Sequence, residues 1–316
     1  MRYALFLGCQ IPVHLTQYEA SARAVLSRLG VSLVDIGQFN CCGYPLRNLD
    51  LQTSVLFAAR NLALAARENL EVLALCKCCF GNLKKAAHLL GEDEQLRGEI
   101  NAILHKEGLE YGGKVKVRHL LSALYHEVGL SAIKEKVERP FADLNIATHY
   151  GCHALRPSEI VEFDDPVAPS IFDRLVEVTG AKSIHWPTQL ECCGAPLLGI
   201  NDDLSMDLTV KKLTDARQSG ANYLCAGCTY CQIQFDAVQK MISSTRSTNH
   251  ELPSILYPQL LGLSMGISGE TLGLPLNQLP LGSIEEFYFV PEPEPEEEAG
   301  AEAAAESDVK PPAAKA

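Results

Sequence analysis

Short apolar runs alternate along the chain with longer segments in which apolar residues recur every three or four positions. The runs at residues 3–8, 32–36 and 71–75 predict strands, because they are short and apolar throughout. The longer segments at residues 15–29 and 49–69 predict amphipathic helices. Strands that alternate with helices in this way indicate a parallel sheet flanked by helices.

The same order of elements returns in the second half of the chain. Strands are predicted at residues 145–151, 183–185 and 222–224, and helices at 170–179 and 203–218. The string CCGYPL at residues 41–46 recurs as CCGAPL at residues 192–197, at an offset of 151 (192 − 41). Such an ordered repeat indicates a duplication. We therefore predict an α/β protein with two pseudo-symmetric lobes, residues 1–140 and 141–290, each a small, mostly parallel sheet flanked by helices around its own core.

The last part of the chain, residues 291–316, is rich in Pro, Glu and Ala and lacks aromatic residues. A segment of this composition cannot bury enough apolar area to offset chain entropy, so we expect a disordered acidic tail. The whole chain has 316 residues and a formal net charge of −12, which argues against a nucleic-acid partner. No apolar run reaches the ~18 residues of a membrane helix, so no membrane span is expected.

Twelve cysteines demand a chemical explanation. Only eight residues precede Cys9, too few for a secretory signal, so we expect a cytoplasmic protein. Cysteines of a cytoplasmic protein more often bind metals than form disulfides.

Ten of the cysteines form two sets of five with nearly the same spacing. Each set has a lone cysteine, a Cys-Cys pair before glycine, and a Cys-x-x-Cys pair after the third strand. Five thiols exceed the four ligands of a zinc site, whereas thiolates in this number suit iron–sulfur clusters. We predict that Gly43 and Gly194 let the backbone approach such a cluster closely, because glycine has no side chain. Zinc in one lobe stays possible, and Cys78 and Cys225 are alternative ligands.

The repeated pattern resembles the CCG domain, and the body up to about residue 290 resembles the B subunit of heterodisulfide reductase. The resemblance implies two non-cubane [4Fe-4S] clusters, each on five cysteines. By motif match, the ligands would be Cys9, Cys41, Cys42, Cys76 and Cys79 in the first lobe, and Cys152, Cys192, Cys193, Cys228 and Cys231 in the second. It also implies two partners, a ferredoxin-like iron–sulfur protein (the C-type component) and a flavoprotein (the A-type component). The implied substrate is a small-molecule disulfide, which is reduced or formed.

Two departures from the family pattern leave the ligand choice open. Cys78 lies between Cys76 and Cys79, and Cys225 with Cys228 offers a second Cys-x-x-Cys frame. Two residues near Cys152 are candidate catalytic groups, since His153 and Arg156 could donate to sulfur or attract an anionic substrate.

Two other functions fit the same residues. The chain could relay electrons as the iron–sulfur subunit of another oxidoreductase, without a disulfide substrate of its own, or one lobe could hold a structural zinc ion. The sequence contains no Gly-rich dinucleotide fingerprint and no phosphate loop, so a flavin would lie on a partner.

Overall fold

A computed structural model describes residues 1–246 and 251–290 of the chain. The strands of the first sheet lie in the order β2-β1-β3-β4 and are β1 (Arg2–Phe6), β2 (Ser32–Val34), β3 (Glu71–Ala74) and β4 (Val117–His119). Those of the second lie in the order β6-β5-β7-β8 and are β5 (Asn145–His149), β6 (Lys182–Ile184), β7 (Tyr223–Ala226) and β8 (Ser254–Leu256). All these strand pairs are parallel, so the predicted duplicated α/β fold is confirmed.

Helices connect the strands and cover the sheets. Those of the first half are α1 (Ile11–His14), α2 (Thr16–Arg28), α3 (Leu51–Arg67), α4 (Lys77–Glu92), α5 (Glu94–Leu104), α6 (Leu120–Ala123) and α7 (Leu130–Lys134). Those of the second half are α8 (Ser158–Val161), α9 (Ile171–Glu177), α10 (Asp202–Gln218), α11 (Thr229–Ile233), α12 (Gln239–Arg246) and α13 (Tyr257–Ser264). A π-helical turn, Gln234–Val238, joins α11 to α12.

The interior strands are apolar because both of their faces are covered. In β1 and β5 the last four residues are buried, as expected for strands of a parallel sheet between helices. The register is equivalent in the two sheets. Ala4 pairs with Val34 and with Val72, and Ala147 pairs in the same way with β6 and β7.

The long helix after each Cys-Cys pair begins with the same kind of cap. The Asp50 carboxylate accepts a hydrogen bond of 3.0 Å from the Thr53 N–H, and the Asn201 side chain accepts one of 3.1 Å from Leu204 N–H. These caps satisfy an amide that has no partner inside the helix. Strands β4 and β8 were not predicted from the sequence, because each runs directly into a helix, α6 or α13, and no turn sets it apart as a separate apolar run.

Apolar side chains of both lobes form one continuous buried cluster. The expectation of a separate core for each lobe is therefore wrong. Helix α13 of the second lobe packs on α2 of the first, and the His119 imidazole links the lobes, with Nε2 lying 3.2 Å from Leu75 O and 3.1 Å from Gly227 O. The division at residues 140 and 141 stays a prediction.

Among the described residues, no helix is both long enough and apolar enough to cross a bilayer. The predicted acidic tail, residues 291–316, lies outside the described part of the chain.

Candidate metal centres

Each lone cysteine follows the carboxyl end of an interior strand. Cys9 comes three residues after the end of β1, and Cys152 three residues after the end of β5. Between strand and cysteine the chain turns through Gly8 and Gly151, with φ of +66° and +72°. A Cβ atom on Gly8 would lie 2.9 Å from Cys79 Sγ, so only glycine lets this turn approach the other thiols.

The Cys-Cys pairs sit on turns that are anchored to the helix that follows them. Gly43 and Gly194 have φ of +86° and +95°, and a Cβ atom on either would lie 2.5 Å from a helix carbonyl oxygen. The Ser54 hydroxyl donates to Gly43 O at 2.9 Å, and the Ser205 hydroxyl to Gly194 O at 3.0 Å. These glycines are thus required for contact with the helix. The Gly194 N–H also donates to Cys192 Sγ at 3.4 Å, and the close approach of both glycines to a cluster stays a prediction.

The Cys-x-x-Cys pairs lie at helix starts. Cys76 is the N-cap of α4 and Cys228 that of α11, so Cys79 and Cys231 fall in the first turn. The positive end of a helix dipole favours a thiolate over a thiol. Both pairs therefore lie at the positive end of a helix dipole, although hydrogen bonds with neighbouring thiols and burial raise the pKa of Cys79 and of Cys231.

Within each lobe, neighbouring thiols interact by hydrogen bonds and form a continuous string. In the first lobe the string runs Cys9, Cys41, Cys42, Cys79, Cys76, and in the second Cys152, Cys192, Cys193, Cys231, Cys228. The two strings meet at the lobe interface, where Cys76 Sγ lies 3.9 Å from Cys228 Sγ. All ten cysteines of the predicted sets are thus brought together.

The pKa values of the thiols differ within each string. Hydrogen bonds from Cys42 and Cys9 lower the pKa of Cys41, and hydrogen bonds from Cys152 and Cys193 lower that of Cys192. The same interactions, together with burial, raise the pKa of Cys9 and of Cys152. Hydrogen bonds from Cys231, Cys76 and Cys78 also lower the pKa of Cys228. The first lobe thus has one thiol that ionises readily and the second has two, beside thiols that would release their protons to a metal ion.

The two extra cysteines lie in different surroundings. Cys78 is buried, and its Sγ lies within 4.8 Å of the sulfur atoms of Cys76 and Cys228. Cys225 lies within β7, where burial raises the pKa of its thiol and the charge of Lys77 lowers it. The interface therefore offers Cys78 as an additional ligand, whereas Cys225 faces a lysine.

His153 lies between Cys152 of the second string and the extra cysteine Cys78. Its Nδ1 lies 3.2 Å from Cys152 Sγ and 3.6 Å from Cys78 Sγ, while Nε2 lies 2.6 Å from Arg47 Nη1. A guanidinium can only donate, so Nε2 accepts and the proton of the neutral ring resides on Nδ1. Burial and Arg47 lower the pKa of His153, which favours this neutral form. The imidazole therefore donates toward sulfur.

Arg156 is placed differently. Its side chain is exposed and, among the described residues, forms no hydrogen bond or ion pair, although its amide donates to Cys152 O at 3.0 Å. A role for Arg156 stays a prediction.

Three buried polar residues near the second string were not predicted from the sequence. They are His149, Lys77 and Lys212, each 1% exposed. The nitrogen of His149 lies within 4.8 Å of the sulfur atoms of Cys193 and Cys231. The signal was available in the repeat, because the first lobe has Phe6, the last residue of β1, where the second has His149.

The donor set suits iron–sulfur chemistry. Each lobe supplies five thiols at one edge of its sheet, and soft anionic sulfur is the ligand that such clusters require. Carboxylates are absent from the groups of three or more close ligand atoms found among the described residues, which argues against a hard cation such as Mg²⁺ or Ca²⁺.

The family model of the cysteine-rich domain CCG matches residues 3–84 and 146–236. The chain is 34% identical over 281 residues to the B subunit of the ferredoxin:CoB-CoM heterodisulfide reductase of Methanosarcina mazei, covering 87% of this chain and 93% of that protein. The chain belongs to the family of heterodisulfide reductase B subunits. Membership makes it a homologue of oxidoreductase subunits.

Another relative has a name that points to a different reaction. The 8-methylmenaquinol:fumarate reductase membrane anchor subunit of Wolinella succinogenes is 32% identical over 276 residues, covering 87% of this chain and 96% of that protein. The crystal structure of a hypothetical protein from Helicobacter pylori superimposes with a TM-score of 0.69 at 18% identity, over 88% of this chain and 52% of that one. This chain thus spans about half of that structure, and the likeness concerns the fold alone.

Proposed function

We propose that the chain is the catalytic subunit of a heterodisulfide-reductase-like complex that reduces, or forms, a small-molecule disulfide. One observation carries the proposal: two equivalent strings of five thiols meet at the lobe interface, with Cys76 and Cys228 sulfur atoms 3.9 Å apart. A thioredoxin-type mechanism needs one reactive Cys-x-x-Cys and gives no reason for five thiols in each lobe.

We infer that each lobe holds a non-cubane [4Fe-4S] cluster. The first would be held by Cys9, Cys41, Cys42, Cys76 and Cys79, and the second by Cys152, Cys192, Cys193, Cys228 and Cys231. When bound, each cluster would supply one of the two electrons of disulfide cleavage and iron sites with affinity for sulfur. Cys78 is the further thiol that this interface offers.

His153 is a hydrogen-bond donor in this proposal. Cleavage of a disulfide to two thiols consumes two electrons and two protons, and both protons would come from water, since a neutral imidazole is too weak an acid to protonate a thiolate. The Nδ1–H of His153, 3.2 Å from Cys152 Sγ, would stabilise negative charge on that sulfur. Arg47 and the Tyr44 hydroxyl, 2.6 and 3.2 Å from Nε2, hold the ring in this orientation.

A cavity between the lobes supports access of a small molecule. Its volume is about 450 Å³, which falls in the range of small-molecule sites. Gln10 and His14 of the first lobe line it together with Leu198, Tyr230 and Gln278 of the second. Gln10 directly follows Cys9 and Tyr230 directly precedes Cys231, although no cysteine itself lines the cavity.

The partners in this proposal are a ferredoxin-like iron–sulfur protein, the C-type component, and a flavoprotein, the A-type component. We place the complex in the cytoplasm on the basis of cysteine usage. The Wolinella succinogenes relative favours one alternative, in which the chain relays electrons within another oxidoreductase and has no disulfide substrate.

The first test is the elemental analysis of anaerobically purified protein. We expect about eight iron atoms per chain with a similar amount of acid-labile sulfide. Zinc equimolar with the chain, without labile sulfide, would overturn the assignment of clusters. A finding of zinc in place of half the iron would assign a structural zinc ion to one lobe.

The second test separates the enzyme from the relay. Reduced methyl viologen serves as electron donor to a panel of small-molecule disulfides, and its oxidation is followed by absorbance. The enzyme oxidises viologen only when its disulfide is present, and its oxidised form gives a paramagnetic signal that broadens with a ³³S-labelled thiol. A protein that contains clusters but shows neither response is a relay.

A further inference from the structure

The polar groups around the two strings differ at three equivalent positions. Lys212 and Asn61 both lie on the helix after the Cys-Cys-Gly turn, 19 residues after Cys193 (212 − 193) and Cys42 (61 − 42). His149 and Phe6 end equivalent strands, β5 and β1. Lys77 and Thr229 follow Cys76 and Cys228 directly. In the first and third pairs a lysine, and in the second pair a histidine, lies beside the second-lobe string.

Lys212 places a charge beneath the second string. Its side chain is buried, its ammonium donates to Thr188 O, and it lies 4.5 Å from the centroid of the Trp186 ring. Burial lowers the pKa of Lys212 to about 8, while the Cys193 and Cys231 thiolates raise it, so the group is protonated at pH 7. Asn61 is neutral, and its amide donates to backbone carbonyls at 2.9–3.3 Å.

Lys77 belongs to the first lobe by sequence but reaches into the second. Its ammonium donates to Tyr150 O at 2.6 Å and to His149 O at 3.2 Å. Its side chain lines a small cavity together with Cys152, Cys193 and Cys231 of the second string, whereas it does not line the equivalent cavity at the first string. Its counterpart Thr229 carries no charge, and its buried hydroxyl has no hydrogen-bond partner among the described residues.

His149 offers a buried N–H to the second string. Neither ring nitrogen has a hydrogen-bond partner among the described residues, and one lies within 4.8 Å of the sulfur atoms of Cys193 and Cys231. Burial holds the pKa of His149 well below its usual range, so the ring is neutral and can donate one N–H. Phe6 has no such group and packs edge-on against Phe39.

We propose that the centre of the second lobe is the more easily reduced of the two, because Lys77, Lys212 and His149 surround its sulfur ligands while Thr229, Asn61 and Phe6 stand at the equivalent positions of the first. An added electron adds negative charge, which nearby cations and N–H donors stabilise. Their effect is large because buried charges interact through a medium of low dielectric constant.

Exposure to solvent favours reduction of the first centre instead. Cys9 is exposed, whereas Cys152 is half-buried, so water stabilises the reduced form of the first centre somewhat more. We expect the buried charge of Lys212 to outweigh this difference, since water and salt screen charges at an exposed site much more than buried ones. The first electron therefore resides on the second-lobe centre.

This inference rests on the proposed clusters, and the following experiment distinguishes a failure of the inference from a failure of the clusters. Anaerobic protein is titrated potentiometrically and followed by electron paramagnetic resonance, for the wild type and for Lys212→Met and His149→Phe. Lys212→Met removes the charge at similar volume, and His149→Phe installs the first-lobe residue. Lys211→Met is the matched control, because Lys211 is the neighbouring residue of α10 but is half-exposed and pairs with Glu191 at the surface.

We expect two waves of reduction, of which the more positive moves to lower potential in both variants while the other stays. Lys211→Met should leave both waves unchanged. A single wave for both centres, a shift of the less positive wave, equal shifts of both waves, or no shift in either variant would overturn the inference while leaving the clusters in place. A protein without labile sulfide would overturn the proposed clusters themselves.

Discussion

The two lobes are alike in backbone and different in the groups beneath their thiols. Both hold the Cys-Cys pair on a glycine turn that a serine ties to the next helix, at 2.9 Å in the first lobe and 3.0 Å in the second. The second string has the buried residues His149 and Lys212 beside it, where the first has Phe6 and Asn61 at the equivalent positions. The duplication thus kept the scaffold that positions the ligands and changed the electrostatic surroundings, which shows that the two can vary independently.

The largest expected effect comes from removing one string at a time. Cys42→Ala and Cys193→Ala should each abolish disulfide reduction, because two electrons must arrive from two centres. Turnover with reduced viologen, together with iron content, measures this. If each variant kept about half of the activity, the lobes would be two independent sites, and the proposal that both centres act on one disulfide would be wrong.

The next largest effect is expected from variants of the glycine turns that both lobes share. Gly43→Ala and Gly194→Ala should each lower the free energy of unfolding by at least about 2 kcal/mol, since the residue has positive φ and its Cβ would lie 2.5 Å from a helix carbonyl oxygen. Denaturant unfolding of the metal-free protein measures the loss.

Gly30 and Gly220 provide controls for these two variants. They have φ of +71° and +89°, but nothing lies within 4 Å of their Cβ positions. Their replacement by Ala should cost only about 1 kcal/mol, from backbone strain. Equal losses at all four glycines would show that contact with the helix does not matter.

Replacing the serines that bond to these glycine turns should lower the free energy of unfolding less than replacing the glycines. Ser54→Ala and Ser205→Ala each remove a buried hydrogen bond and should cost about 1 kcal/mol. We expect the larger loss for Ser205, which also accepts from Gln234 Nε2 at 3.0 Å, whereas the corresponding Asn82 contact to Ser54 is 3.3 Å. Thermal unfolding of the two variants side by side gives the order, and a larger loss for Ser54 would contradict it.

The smallest expected effect distinguishes Cys225 from Cys78. Cys225→Ala should leave iron content and spectra unchanged, with a stability loss of about 1 kcal/mol, because its thiol is buried in β7 beside Lys77. Cys78→Ala should alter the spectra, since its sulfur lies within 4.8 Å of two ligand sulfurs at the interface. Loss of iron in the Cys225 variant would restore the alternative Cys225/Cys228 frame.

The sequence alone determined the repeat, the parallel sheets and the gathering of ten thiols. The repeated spacing was sufficient, because strands of a parallel sheet end at the same edge and residues that follow them must meet there. These features are local to one lobe.

What only the tertiary structure decided lies between the lobes. The approach of Cys76 to Cys228, the reach of Lys77 to Tyr150 O, and the bridge from Arg47 through His153 to sulfur all join residues far apart in the chain. Spacing within a repeat does not fix how one sheet is oriented against the other. That orientation follows from the single core that both lobes bury together, and it determines which side chains surround each set of thiols.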